Sequence, residues 1–266
     1  MDALLRMGRR AASALLLGLI GITVSGIAAA QAPGATSRLD EIVKRDKLIV
    51  ATFSTAPPFC YTDEAGKLVG FDIDIAKFIA KSLLGDEKKI EFVTVTSEGR
   101  WPAVNSGRAD IGIATTTVYP DRALRVAFTR PYIDSGISIL VRDDTNVTNL
   151  AGLNNAKFTL ANLSNPQMAD RAKRFLPNVK LLTFDTPAAL FTAVKSGQAQ
   201  AMQMDTPVVN WYAANNKDMK VLPENLAVVQ EMTAGSRYTE YSEIYKKWFG
   251  TNPPPQRFYG AAGSAK

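Results

Sequence analysis

The chain has 266 residues, 46% of them hydrophobic, and carries a net charge of +6. That length supports a full core in one large or two small domains. A single cysteine, Cys60, and no histidine exclude an intramolecular disulfide, Ser-His-Asp triads, histidine-ligated zinc and a catalytic thiol with its usual partner.

Residues 1–30 read as a signal peptide. Arg6, Arg9 and Arg10 precede an apolar, small-residue stretch from Ala11 to Ile27, and Ala28-Ala29-Ala30 offers a small-residue cleavage site. A Sec-type signal cleaved after Ala30 predicts an exported, periplasmic chain. The apolar stretch is long enough that an uncleaved anchor stays open as the alternative. Arg6, Arg9, Arg10 and Asp2 contribute +2 of the charge, leaving +4 on the remainder. No basic block is interleaved with aromatics, so nucleic acid is not an expected partner.

The spacing of Leu39, Ile42 and Val43 predicts a helix over Ser37–Arg45, and Leu48–Thr52 reads as a buried strand. A loop from Phe53 to Phe59, a turn at Thr62–Gly66 and the pair Leu68-Val69 follow. The next helix is predicted from Asp72 to Leu84, capped by Asp72 and stopped by Gly85. Cys60 lies in the apolar run PPFCY and reads as a small buried hydrophobe. Ile90–Val95 is a strand, with Ser97, Arg100 and Trp101 at a helix start.

Ser106–Arg122, SGRADIGIATTTVYPDR, carries the chemistry. Gly107 closes a helix, Ala109–Ala114 is a short buried strand, and Thr115, Thr116 and Thr117 stand at its C-terminal end, where open α/β sheets bind ligands. Arg122, beyond Pro120 and Asp121, supplies a forked donor suited to a carboxylate. Gly136–Val141 is a long β run that crosses into a second lobe. There Lys157–Ala161 is a strand and Asn162–Asn165 opens a helix at Pro166, where backbone N–H groups could hold a carboxylate. Val179–Phe184 is a strand, Pro187–Ser196 a helix, Ala199–Met204 a strand ending at Asp205, and Thr206-Pro207 starts a helix running to about Ala214. Repeated β–α units imply a largely parallel sheet.

Val104–Thr115, VNSGRADIGIAT, and Val194–Asp205, VKSGQAQAMQMD, align with Gly107 on Gly197 and Ala109 on Ala199, which puts Thr115 and Asp205 at equal offsets. Two such units suggest two lobes facing one cleft. Thr115, Thr117 and Arg122 would meet an anion and Asp205 a cation, the charge pattern of an α-amino acid. Helix–glycine–strand units are common in α/β proteins, so coincidence is the competing reading at this point.

The segments KLIVATFSTAPPF, KLVGFDIDIAKFIAKSL, DIGIATTTVYPDRALRVAFTRPY and EIYKKWFG, in this order and spacing, resemble the periplasmic polar amino-acid-binding proteins of ABC importers (solute-binding protein family 3, glutamine, glutamate and aspartate type). The resemblance implies an α/β, two-lobed periplasmic binding protein fold of type II. Each lobe would hold a mixed, mainly parallel sheet flanked by helices, with residues 38–142 plus 223–266 as lobe 1 and 143–222 as lobe 2. It implies no cofactor, no metal and no catalytic residue, an amino acid as ligand and an inner-membrane ABC permease as partner.

Carried over residue by residue, the resemblance places the carboxylate-binding arginine on Arg122, hydroxyl donors on Thr115 and Thr117, and the amino-group partner on Asp205. The helix-start donors fall on Ser164 and Asn165, with Leu163 in place of the usual glycine. Two aromatic platforms are replaced, by Ala56 and near Ser97, with Phe53 and Trp101 close by. Ser97–Pro102 is similar to the glutamate/aspartate branch, in which Arg100 would contact a side-chain carboxylate. Arg100 reads equally as a solvated first-turn residue. The ligand expected is therefore a polar L-amino acid, acidic or glutamine.

The resemblance also implies a return strand and a helix before the last helix, and about one of each is missing between Leu222 and Tyr238. Leu226–Gln230 is the candidate return strand, with Gly235 in the turn after it; otherwise a sheet edge is exposed. Tyr238–Phe249 is the last helix, stopped by Asn252–Pro255. An enzyme on the same scaffold, of the cyclohexadienyl or arogenate dehydratase kind using Glu98 or Asp205, and an anchored sensor domain are the alternative functions.

Overall fold

The computed structural model describes residues 37–232 and 238–251. The expected signal peptide, the Gly235 turn and the Asn252–Pro255 stop lie outside them. In chain order the elements are α1 (Arg38–Arg45), β1 (Leu48–Thr52), β2 (Thr55–Ala56), β3 (Cys60–Thr62), β4 (Leu68–Val69), α2 (Phe71–Leu84), β5 (Ile90–Thr94), α3 (Arg100–Asn105), β6 (Ile111–Gly112), α4 (Pro120–Ala123) and β7 (Pro131–Arg142). After a 3-10 turn come α5 (Leu150–Leu153), β8 (Thr159–Leu163), α6 (Pro166–Phe175), β9 (Lys180–Phe184), α7 (Pro187–Lys195), β10 (Ala201–Asp205), α8 (Thr206–Asn215), β11 (Met219–Val221), β12 (Ala227–Met232) and α9 (Tyr238–Phe249).

Two parallel-strand layers organise the chain. The first sheet has the order β5-β1-β6, all parallel, with β1 and β5 in register from Leu48 on Ile90 to Thr52 on Thr94. The second joins parallel β8, β9 and β10 to antiparallel β7, β11 and β12, in the order β11-β7-β10-β8-β9 with β12 also on β7. Central strands such as β1 and β10 are buried along nearly all their length, although β10 carries Gln203 and Asp205 on one face. A small antiparallel sheet, β2-β3-β4, was not foreseen from the sequence. Its strands have two or three residues each, too short to show a period.

β6 is shorter than the expected Ala109–Ala114, yet the amides of Asp110 and Ile113 still donate to Ile49 O and Ala51 O at 2.8 and 2.9 Å. The segment therefore rides on β1 up to the threonines. α2 begins one residue before Asp72, with Gly70 at its N-cap and no side-chain cap. Asp72 is a first-turn residue, and its carboxylate is turned into the interior instead. Gly85 does stop the helix, in the left-handed conformation at φ 79°, with its N–H on Lys81 O. Asn162 and Leu163 belong to β8 and not to the following helix, whose N-cap is Asn165.

β7 carries partners along most of its length. Residues 137–141 pair with β10 on one edge, while 140–142 pair with β11 and 131–137 with β12 on the other. β12 thus occupies the place of the expected return strand. Ser138, in the middle of β7, joins Thr206 at 2.7 Å and Asn225 at 2.5 Å through its hydroxyl, tying the segment before β12 to the start of α8. The last helix packs on α2. Phe249 meets Phe59 and Phe71 at ring separations of 5.9 and 5.1 Å, and Trp248 Nε1 donates to Asp74 at 2.9 Å.

Candidate functional site

The two aligned segments fold alike. Gly107 and Gly197 both have positive φ, 77° and 82°, and donate to Val104 O and Val194 O, each at 3.1 Å. Two residues on, Ala109 N reaches Ala103 O and Ala199 N reaches Ala193 O. The likeness extends one residue further than the sequence suggested. Asp110 and Gln200 each accept the backbone N–H of the adjoining strand through a side-chain oxygen, from Ile49 at 2.7 Å and Thr159 at 3.0 Å. The repeat is structural, and it brings Thr115 and Asp205 to corresponding ends of corresponding strands.

On the first side, Thr115, Thr116, Thr117 and Arg122 are all buried. Thr116 is spent inside: its hydroxyl donates to Ala114 O and accepts from Arg100. The Thr115 and Thr117 hydroxyls make no hydrogen bond to another described residue. Arg122 Nη1 donates to Thr117 O at 2.9 Å, while Nη2 is buried without a hydrogen-bond partner among the described residues. A guanidinium nitrogen left in that state away from water costs free energy unless something accepts from it. Burial lowers the Arg122 pKa, an effect partly offset by Tyr119, Glu98, Asp121 and Asp205.

Thr115 has φ 46°, a left-handed conformation uncommon for a β-branched residue. Its N–H donates to the fully buried carboxylate of Asp72 at 2.9 Å. The same carboxylate accepts from Tyr132 Oη at 2.7 Å and lies 3.8 Å from the Cys60 thiol. Burial pushes the Asp72 carboxyl up to about 6, against these hydrogen bonds, and the nearby charge of Asp205 adds to the rise.

Aromatic and guanidinium groups alternate behind the threonines. The Arg100 guanidinium lies 5.3 Å from the Phe53 ring and 4.7 Å from the Trp101 ring. Arg122 lies 5.0 Å from the opposite neighbour, Trp101, and 4.7 Å from Tyr119. Arg171, from α6, continues the series at 5.9 Å from Tyr119. Such contacts hold guanidiniums in fixed planes. Arg100 also donates through Nη1 to Ala114 O at 2.7 Å and is buried. It is a brace for the threonine segment, which corrects the reading of Arg100 as a solvated first-turn residue. Phe53 and Trp101 serve as ring faces for these arginines.

Asp205, buried at the end of β10, stands at the N-cap of α8 but does not cap it. Its charge is felt by both Arg122 and Asp72, so it faces the first side. At the start of α6 the Ser164 N–H is taken by Phe184 O at 2.7 Å, and the Asn165 side chain caps the N–H groups of Gln167 and Met168. Ser97 is fully buried, with its N–H on Asp185 O at 3.2 Å and its hydroxyl unpartnered among the described residues.

Contacts that join the two sides include Ser97 to Asp185, Tyr212 Oη to Thr55 O at 3.5 Å, Gln167 to Asp121, Arg171 to Tyr119, and the Tyr61 and Trp211 rings at 5.9 Å. Tyr119 and Tyr132 were not singled out from the sequence, and Asp72 was read only as a helix cap. An aspartate at a helix start reads as a cap, and only the fold shows that it bonds a residue 43 positions later.

Residues 48–251 match the bacterial extracellular solute-binding proteins, family 3. A glutamine-binding protein of Geobacillus stearothermophilus is 35% identical over 203 residues, 76% of this chain and 77% of the relative. The ABC transporter glutamine-binding protein GlnH of Bacillus subtilis is 33% identical over 207 residues, covering 71% and 76%. Among solved structures, the ancestral amino acid-binding protein AncCDT-1, described as a precursor of cyclohexadienyl dehydratase, superposes with a TM-score of 0.69 at 35% identity, over 80% of this chain and all of that one. The fold is the two-lobed α/β fold of type II periplasmic binding proteins, and the relatives are binding proteins and not enzymes. The chain belongs to family 3 of the bacterial extracellular solute-binding proteins.

Proposed function

We propose that this chain captures a polar L-amino acid between its lobes and delivers it to an ABC permease in the inner membrane. The observation that carries the reading is the buried, half-used guanidinium of Arg122 between Thr117 and the charge of Asp205. Arg122 Nη2 with the Thr115 and Thr117 hydroxyls takes the α-carboxylate, and Asp205 takes the ammonium. Charge-assisted bonds in a water-poor cleft are the strong kind. Ser97 lies at the side-chain end.

Among polar side chains, an uncharged amide suits the site better than a carboxylate. Arg100, the group that would meet an acidic side chain, is engaged with Ala114 and Thr116 and stacked between Phe53 and Trp101. The names of two relatives, both glutamine-binding, support the same choice. The lobes, 38–142 with 223–266 and 143–222, hinge where β7 and residues 222–226 pass between them. The contacts of Tyr119 with Arg171 and Asp121 with Gln167 belong to the closed form that a permease receives. The expected place of action is the periplasm, after removal of residues 1–30.

Isothermal calorimetry on residues 31–266 with L-glutamine, L-glutamate, L-aspartate and L-arginine tests the reading. L-Glutamine binds most tightly if it is right. Tighter L-glutamate would return Arg100 to the side-chain pocket, and no heat with any of the four would overturn amino-acid capture.

A further inference from the structure

The left-handed Thr115 needs a cause. A β-branched side chain at φ 46° persists only where its surroundings over-determine it. The backbone on either side gives little help: Ala114 O is held by Arg100, and Thr117 O by Arg122, but neither bond fixes the Thr115 amide. That amide has one acceptor, Asp72 Oδ2, at 2.9 Å.

We propose that Asp72 is the positioning residue of the ligand site: it never touches the ligand, and it holds Thr115 in the conformation that presents the threonine hydroxyls beside Arg122. The inference rests on the reading of Thr115, Thr117 and Arg122 as the carboxylate clamp.

Asp72 is equipped for this. It sits in the first turn of a 14-residue helix without capping it, so its carboxylate is not used by its own element. Its second oxygen is held by Tyr132 Oη at 2.7 Å, which fixes the carboxylate plane. Tyr132 is stacked on Phe71 at 5.7 Å and 22°, and Phe71 is packed in turn by Tyr245 and Phe249 of α9. The anchor is therefore braced from the core side by rigid aromatic packing, and only its far end, the Thr115 N–H, borders the site. The groups facing the carboxylate are Cys60 from β3, Tyr132 from β7, the Thr115 amide and, across the cleft, Asp205.

The test separates anchoring from general stability by a double-variant cycle read as the L-glutamine dissociation constant. Asp72→Asn keeps an acceptor for Thr115 and a donor for Tyr132, so affinity stays within about threefold. Asp72→Ala frees the strained residue and weakens binding roughly ten- to a hundredfold. Glycine adopts positive φ without a partner. In a Thr115→Gly background the further loss from Asp72→Ala therefore shrinks to about twofold or less. Unaltered affinity in Asp72→Ala, or the same fold-loss in both backgrounds, would overturn the proposal.

Hydrogen exchange of the Thr115 amide in the unliganded wild type and in Asp72→Asn covers the case of an alanine variant that does not fold. Slow exchange in both supports the anchor, and exchange at the rate of open loops in the wild type refutes it. Arg122→Ala is the control for the clamp itself. If that variant binds L-glutamine normally, the clamp reading has failed; if it alone is impaired, the Asp72 inference has. Should the wild type ignore L-glutamine, the exchange measurement still decides about Asp72.

Discussion

Arg122 is committed on one side only, which is why the clamp can be tested at a single atom group. Its Nη1 supports Thr117 and its rings of contact, Trp101 and Tyr119, fix its plane, so removing the side chain deletes both the proposed ligand bond and a piece of packing. Arg122→Ala should lose about 2–5 kcal/mol of amino-acid binding. Arg122→Lys should recover little, because a point charge cannot hold Thr117 and a carboxylate in one plane. Calorimetry with unchanged affinity in the alanine variant would remove Arg122 from the site. Asp205→Asn should weaken α-amino acids sharply and the matching α-hydroxy acids much less, since an amide still bonds a hydroxyl but no longer pairs with an ammonium; equal losses would assign Asp205 to the strand end instead. Asp72 adds a pH dependence of unusual sign. Its carboxyl rises from 3.8 to about 6 on folding, mainly through burial. Between those values the native chain keeps a proton that the unfolded chain has released. Stability from this group is therefore greatest below pH 3.8, falls as pH rises to about 6, and is level beyond, by about 3 kcal/mol in all. The stability of Asp72→Asn relative to the wild type should accordingly climb across that window in denaturant titrations, and a flat difference would mean that the carboxyl titrates normally.

Among the elements, those with a period were legible and those without were not. α2 could be read from Ile75, Ile79 and the Gly85 stop, and β1 from its five apolar residues, because burial on one or both faces is written into residue type. The repeat at Gly107 and Gly197 was legible because a left-handed residue after a helix selects glycine. The β2-β3-β4 sheet, α5 and β11 are two to four residues long and leave no pattern. The site divided in the same way. The strand-end positions of Thr115 and Asp205 were legible from the repeat, whereas the capping of the Gln167 and Met168 amides by Asn165 shows only in the fold. Which side of a residue a partner takes is a tertiary fact. α9 illustrates the reverse case, an element read from sequence whose importance only packing reveals. Phe249 touches Phe59 and Phe71, and Tyr245 backs it at 4.6 Å. Phe249→Ala should cost about 2–4 kcal/mol, toward the lower part of the range for buried aromatic truncations because the ring is only partly covered. Urea unfolding measures it, and a change under 1 kcal/mol would show that α9 is a passenger on the first lobe.

At the scale of the whole molecule, β12 bears on how β7 is covered, in a stretch where a strand and a helix are expected, from the resemblance, to be missing. A missing return strand would leave residues 131–137 of β7 with an open edge, a template for swapping between chains. β12 covers that edge. Ala227 pairs with Ile137, and the register runs on to Met232 opposite Pro131, with an irregularity only at Glu231/Met232. It continues along the same side of β7 that β11 occupies further on, so a single long strand carries partners from both lobes. The Ser138–Asn225 and Ser138–Thr206 bonds sit where the coverage changes from β11 to β12. With that edge satisfied, the backbone groups on that side of β7 have partners within the chain. Both β10 and β12 pair with this strand, so losing it strips ladder bonds from each. The expected outcome is a monomer by size-exclusion chromatography with light scattering, unfolding in one cooperative transition seen alike by far-ultraviolet circular dichroism and by tryptophan fluorescence. Trp101 lies on α3 and Trp211 on α8, so the fluorescence samples elements that precede and follow β7. A dimer that exchanges subunits, or two separated transitions, would mean that β12 does not close the edge in solution and that each lobe stands on its own.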